Sequence, residues 1–204
     1  MVTVLEFTPD ALPVFNVAEA ARYARVSGDP VSMERLPRLK TRLDSVLAPR
    51  ACYEVYDVTV DGDKVTIGTL AVNSRGLAIC LGGCSRAAVF AATVGRGVDR
   101  MIRAEMLTCP GDGCLLGATG SERVEALCDL VCSTLKDREA NGKSIRPRFS
   151  PGYGDLPLEI QSDIFALLGC TRNIGISLGS GLIMTPEKSV TAIVGIEDRK
   201  GEEL

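Results

Sequence analysis

An α+β fold with antiparallel strand pairing is predicted by three features of the sequence. Two alternating runs, CYEVYDVTV (52–60) and KVTIGTL (64–70), flank Asp61-Gly62-Asp63, the turn chemistry of a β-hairpin. An apolar stripe at helical spacing (Val124, Leu127, Cys128, Val131, Cys132 and Leu135) marks one long helix. The other segments do not alternate as regular βαβ units, so the order fits a mixed antiparallel sheet with flanking helices better than a doubly wound parallel one. At 204 residues, 46% of them hydrophobic, the chain is sized for a single domain over 1–204 with a substantial core.

VTVLEF (2–7) reads as the first strand, and NVAEAARYARV (16–26) as the first helix. MERLPRLKTRLDSVL (33–47) reads as a second helix that starts near Pro37, because a proline inside a helix removes a backbone donor. The hairpin follows, with SRGLAICLGG (74–83) as a short helix and AAVFAATV (87–94) as a buried strand. GVDRMIRAEML (97–107) is helical, TCPGDG (108–113) a loop, and the long helix runs over about 115–137. KDREANGKS (136–144) is a polar linker to the irregular stretch RPRFSPGYGD (146–155). In DLPLEIQSDIFALLG, Asp155 is placed to cap a helix that Pro157 opens and Gly169 ends. NIGISLGSGLIM (173–184) and SVTAIVGI (189–196) read as two last strands, and DRKGEEL (198–204) as a solvated tail.

Composition narrows the function. A net charge of −3 argues against a general nucleic-acid binder, which shows a basic excess. No apolar run approaches the roughly 20 residues that cross a bilayer. The start MVTVLEFTPD lacks a basic and apolar leader, so a cytoplasmic chain that engages no membrane is expected. The eight cysteines are expected to be reduced, buried thiols. The absence of histidine excludes Ser-His-Asp and Cys-His catalysis and any His-ligated zinc, so neither a catalytic residue nor a metal site is assigned.

Several motifs fail on inspection. Gly142-Lys143-Ser144 ends like a phosphate loop, but Asp137 stands where its first glycine belongs. The segment Gly95 to Arg100 lacks the last glycine of a dinucleotide fingerprint, and Ala87 stands where Cys80-x3-Cys84 would need a third cysteine. Cys109 and Cys114 flank PGDG and could approach each other, a thiol-redox reading that rests on cysteine positions alone.

The irregular stretch carries more. Ser150-Pro151-Gly152-Tyr153 suits a type II turn, with proline fixing φ at the second position and glycine accepting positive φ at the third. Such a turn exposes backbone groups and presents Tyr153 as a stacking face, while Arg148 offers a planar fork for a carboxylate. The same residues also suit a plain tight connection beside a solvated arginine. Glu125, at the border of the long helix's apolar stripe, is placed to accept from hydroxyls in a cleft, or to be an ordinary boundary glutamate. Together, arginine, carboxylate, exposed backbone and aromatic fit a zwitterionic ligand that bears a ribose.

RFSPGYGDLPLEIQSDIFALLG (148–169), continuing to IGISL (174–178) and MTPEKSVTAIVGI (184–196), resembles the S-adenosylmethionine-binding reactivation domain of cobalamin-dependent methionine synthase. The pieces are an Arg-x-x-Pro-Gly-Tyr loop, a helix ending in Leu-Leu, an Ile-Gly-x-x-Leu strand and a Met-x-Pro-x-x-Ser-Val strand, in that order. RVEALCDLV (123–131) resembles the family helix that carries a ribose-binding glutamate. The resemblance covers about residues 120–196; residues 1–110 are not clearly matched, as in short free-standing relatives of the domain.

The resemblance implies a twisted antiparallel sheet with flanking helices that binds S-adenosylmethionine. Arg148 would hold the methionine carboxylate, Ser150 and Gly152 would offer backbone contacts, Tyr153 would line the adenosine site, and Glu125 would accept from the ribose. It further implies an activator that supports reductive remethylation of cobalamin on a partner methionine synthase or corrinoid methyltransferase protein, with a flavodoxin-type or ferredoxin-type reductant. Without a histidine the chain lacks the lower ligand of a cobalamin carrier, so the corrinoid belongs to the partner. An alternative is a docking or capping module for a corrinoid protein that no longer binds S-adenosylmethionine.

Overall fold

The computed structural model describes residues 1–140 and 144–197. The phosphate-loop-like Gly142-Lys143, part of the polar linker and the tail from 198 lie outside them.

β1 (Thr3–Glu6) leads through a 3₁₀ turn at Pro9–Ala11 into α1 (Val17–Ala24). The Asn16 side chain accepts the Glu19 amide at 3.0 Å, which caps α1. α2 (Pro30–Asp44) begins seven residues before Pro37, contrary to expectation. Its start signal is Asp29-Pro30: the Asp29 carboxylate accepts from the Ser32 amide at 3.0 Å, and proline suits the first helical position. Pro37 is tolerated because it sits on the exposed side, while Leu36, Leu39 and Leu43 face the core.

β2 (Arg50–Asp61) turns at Gly62, with φ +60°, into β3 (Lys64–Ile67), and Gly68, with φ +57°, turns the chain again into β4 (Leu70–Asn73). The run expected as one strand over 64–70 is therefore divided. α3 (Arg75–Leu81), β5 (Cys84–Thr93) and α4 (Arg96–Thr108) match the sequence reading. α5 spans Pro110–Arg138. The expected loop TCPGDG is mostly its first turn, since Pro110 opens a helix as readily as it breaks one, and only Cys109 separates α4 from α5. After residues 144–155 come α6 (Ile160–Leu168), closed by Gly169 with φ +55°, and α7 (Cys170–Ile174). Of the segment 173–184, expected as one strand, only Ser177–Leu178 (β6) and Met184 form strand; Met184 belongs to β7 (Met184–Thr185), which pairs with β6 as a small ribbon. β8 (Ser189–Glu197) completes the main sheet.

Every pairing in that sheet is antiparallel, in the order β4-β3-β2-β5-β8 with β1 also on β2. Helices cover both faces, which explains why the central strand β5 is apolar and buried from Ala87 to Ala92. Ala88, Phe90 and Ala92 point into a core with α1, α2 and α5, and Ala87, Val89 and Ala91 into one with α3 and α6. No helix among the described residues is long and apolar enough to cross a membrane.

Asp155 does not cap α6. Its carboxylate accepts from the Ser74 hydroxyl at 2.6 Å and from the Arg75 and Gly76 amides at 2.7 and 3.1 Å, closing the start of α3 instead. Gly76 permits this approach, because a Cβ there would stand 2.9 Å from the Phe149 ring. The Ser74 hydroxyl, helped by the two amides, holds the Asp155 carboxyl below its usual range. That stabilisation is present at neutral pH and lost as pH falls through the depressed value. Asp155→Asn should lower the melting midpoint at neutral pH, the gap closing in acid as the wild-type carboxyl takes its proton; equal midpoints at neutral pH would refute the role.

Candidate functional site

Residues 144–149 lie along the outer edge of β8. The Arg146 amide donates to Gly195 O at 2.8 Å, and Phe149 and Ile193 exchange bonds of 2.9 and 2.8 Å. Arg148 is pinned between these two attachments, with its side chain aimed across α5. Glu125 and Asp129, four residues apart on one face of α5, meet it: Arg148 Nη2 lies 3.0 Å from Glu125 Oε2 and 3.1 Å from Asp129 Oδ1. Arg148 Nη1 is buried and finds no nitrogen or oxygen partner among the described residues.

These three side chains border a cavity of about 380 Å³. Its other wall is the N-terminal segment (Pro13, Val14 and Asn16) with Glu19 and Tyr23 of α1. Residues unmatched by motif thus complete the site.

A buried ion pair holds that wall in place. Arg123 and Glu122 have side chains 2% and 5% exposed and form a two-pronged pair, Nε to Oε2 at 2.5 Å and Nη2 to Oε1 at 2.6 Å. Glu122 Oε1 also accepts from the Asn16 amide at 2.9 Å, and Arg123 Nη1 donates to Pro13 O at 2.9 Å. The Arg123 guanidinium stacks over the Phe15 ring, 5.2 Å from its centroid. The sequence reading missed this pair, although a signal existed. Arg123 lies on the i, i+4 row of Leu127, Val131 and Leu135, and a charge on an apolar row has to be paired.

The turn forms as expected, with the Tyr153 amide donating to Ser150 O at 3.0 Å and Gly152 at φ +81°. The Gly152 amide is satisfied by Leu156 O at 2.9 Å. Tyr153 is 68% exposed and stands edge-on to Phe149, with centroids 5.5 Å apart. The structure therefore brings Arg148 and Glu125 into contact, whereas Ser150, Gly152 and Tyr153 sit beyond the cavity's lining.

Behind Arg148 lie two thiols of α5. Burial pushes Cys128 up to about 12, Arg148 opposing and Glu125 adding to it. Burial likewise pushes Cys132 up to about 11 against the pull of Arg148. The fold keeps a proton on Cys128 that the unfolded chain releases above about pH 8.5, so stability falls as pH rises from there. Cys128→Ala should flatten urea-derived stability by about 1.4 kcal/mol per pH unit in that alkaline range. An unchanged slope would show that other groups carry the alkaline loss.

No disulfide forms among the described residues, and Cys114 is exposed on α5. Glu105, Cys109 and Asp112 converge where α4 meets α5, but Arg42 pairs with Glu105 and Arg35 with Asp112, so neither carboxylate is left without a cation.

No family model matches the chain, and no curated protein matches it. Its fold is shared with a solved structure, the crystal structure of the MetH reactivation domain bound to AdoHcy. The two superpose with a TM-score of 0.72 at 16% identity, over 97% of this chain and 78% of that one. Likeness at that identity establishes the fold, including the antiparallel sheet and its helical layers.

Proposed function

We propose that the chain binds S-adenosylmethionine beside Arg148 and supports reductive remethylation of a corrinoid carried by a partner methionine synthase or corrinoid methyltransferase protein. One observation carries this reading: Arg148 and Glu125 meet at a cavity on a fold shared with the MetH reactivation domain bound to AdoHcy. The residues present fit such a ligand. About 380 Å³ lies within the range of small-molecule sites, and the Arg148 side chain, 26% exposed at its border, offers a guanidinium suited to a carboxylate.

Arg148 would take the carboxylate of the methionine portion in its fork, and Glu125 would turn to the ribose hydroxyls. Carbonyls of the 150–153 turn, with Tyr153, would flank the adenosine where it extends beyond the cavity. The sulfonium supplies an already activated methyl group, so the chain's own residues contribute position and orientation, with no general acid or base among them. The reductant would be flavodoxin-type or ferredoxin-type and would serve the partner.

Calorimetric titration of the purified chain with S-adenosylmethionine and S-adenosylhomocysteine tests the binding step. Saturable binding is expected, with a rise in melting midpoint at excess ligand. No heat and no thermal shift at millimolar ligand would end the reading.

A second reading, a docking or capping module for a corrinoid protein without methyl-donor binding, is favoured by a different observation. Arg148 Nη2 is already engaged by two carboxylates, and the Gly152 and Tyr153 amides are satisfied within the loop. Stable capture of a corrinoid protein by a chain indifferent to S-adenosylmethionine would support it.

A further inference from the structure

Arg148 is contested within its own cavity. Its Nη2 lies between Glu125 Oε2 at 3.0 Å and Asp129 Oδ1 at 3.1 Å, and the side chains of Arg148, Glu125 and Asp129 are 26%, 40% and 66% exposed. The pinned strap on β8 fixes the arginine's backbone, and α5 fixes both carboxylates, so the three cannot drift apart without a rotamer change. Two carboxylates on one nitrogen are more than its charge balances. The more exposed of them is the more hydrated and the more readily displaced.

We infer that Asp129 is an internal competitor for Arg148, a side-chain clasp that a carboxylate-bearing ligand must displace. Binding is then an exchange: an incoming carboxylate takes the place of Asp129 on Nη2 and frees Glu125 to accept from hydroxyls. The consequence is selectivity by charge. A ligand without a carboxylate gains nothing at Arg148, because it cannot repay the broken ion pairs. Only the ligand arm of this inference rests on the proposed S-adenosylmethionine reading; the clasp itself is a property of the chain.

The test separates the two. Asp129→Asn keeps the side chain's shape and removes its charge, and Asp129→Ala is a second variant at this exposed position. Phenylglyoxal attacks free guanidinium groups, so its rate of modification at Arg148, read by peptide mass spectrometry, should rise several-fold in both variants. For the asparagine variant, the dissociation constant of S-adenosylmethionine should fall roughly two- to five-fold, the span open to a partly exposed ion pair. That of 5′-methylthioadenosine, which has no carboxylate, should not move.

Unchanged modification of Arg148 overturns the clasp whatever the ligand does. So does weaker S-adenosylmethionine binding, which would make Asp129 a ligand contact, or equal tightening of both ligands. Faster modification with no binding of S-adenosylmethionine to any form keeps the clasp and ends the S-adenosylmethionine reading instead.

Discussion

Replacing Glu122 with glutamine is expected to lower the unfolding free energy by about 3–5 kcal/mol, the usual cost of removing one partner from a buried ion pair. The Arg123 side chain, 2% exposed, would keep its charge and lose the carboxylate that pairs with it. Pro13 O and the Phe15 ring, its other partners, are neutral. The glutamine oxygen could still accept from the Asn16 amide, so the loss reads the charge rather than the wall contact. A urea midpoint that falls with an unchanged m value would confirm it, and a loss below about 1 kcal/mol would show that water reaches the guanidinium. Replacing Glu122 and Arg123 together by leucine and methionine should restore most of that stability. It would still leave Pro13 and Asn16 without their anchors, so ligand binding should stay impaired in a chain that melts normally. That split between stability and binding separates a positioning role from a purely structural one.

The same pair shows where the sequence was legible and where it was not. Period and turn chemistry were enough for the Gly62 hairpin, the stripe of α5, the buried strand β5 and the Gly169 stop, because each depends on residues near in sequence. Proline misled at both Pro37 and Pro110. Its effect depends on which side of a helix it occupies and whether it stands in the first turn, and tertiary packing decides the first of these. Asp155 looked like a cap and is one, but for a helix 80 residues earlier; local spacing cannot reveal that. At the site, Arg148 and Glu125 were legible as chemistry, and their contact was not, since it needs the strap on β8 to cross α5. Asp129 and the N-terminal wall carried no motif. Their importance comes from geometry alone.

Arg148→Ala is expected to weaken S-adenosylmethionine binding about 10- to 100-fold while leaving the fold nearly as stable, and both halves follow from the surroundings of one side chain. A hydrogen bond to a charged group is worth about 1.5–3 kcal/mol, and the loss of one such bond at Nη2 corresponds to a fold-change of about that size. On the stability side, the guanidinium makes partly exposed ion pairs worth little and carries a buried Nη1 with no nitrogen or oxygen partner among the described residues, so its removal relieves a desolvation cost as it breaks two weak contacts. Glu125 and Asp129 then repel each other, but both can turn to water. Arg148→Lys should fall between wild type and alanine in affinity, because it keeps the charge and loses the planar fork. If lysine restored full affinity, the arginine would be acting only as a point charge. If alanine bound as well as wild type, the carboxylate of the ligand would lie elsewhere, and the cavity between α1 and α5 would lose its claim to be the binding site.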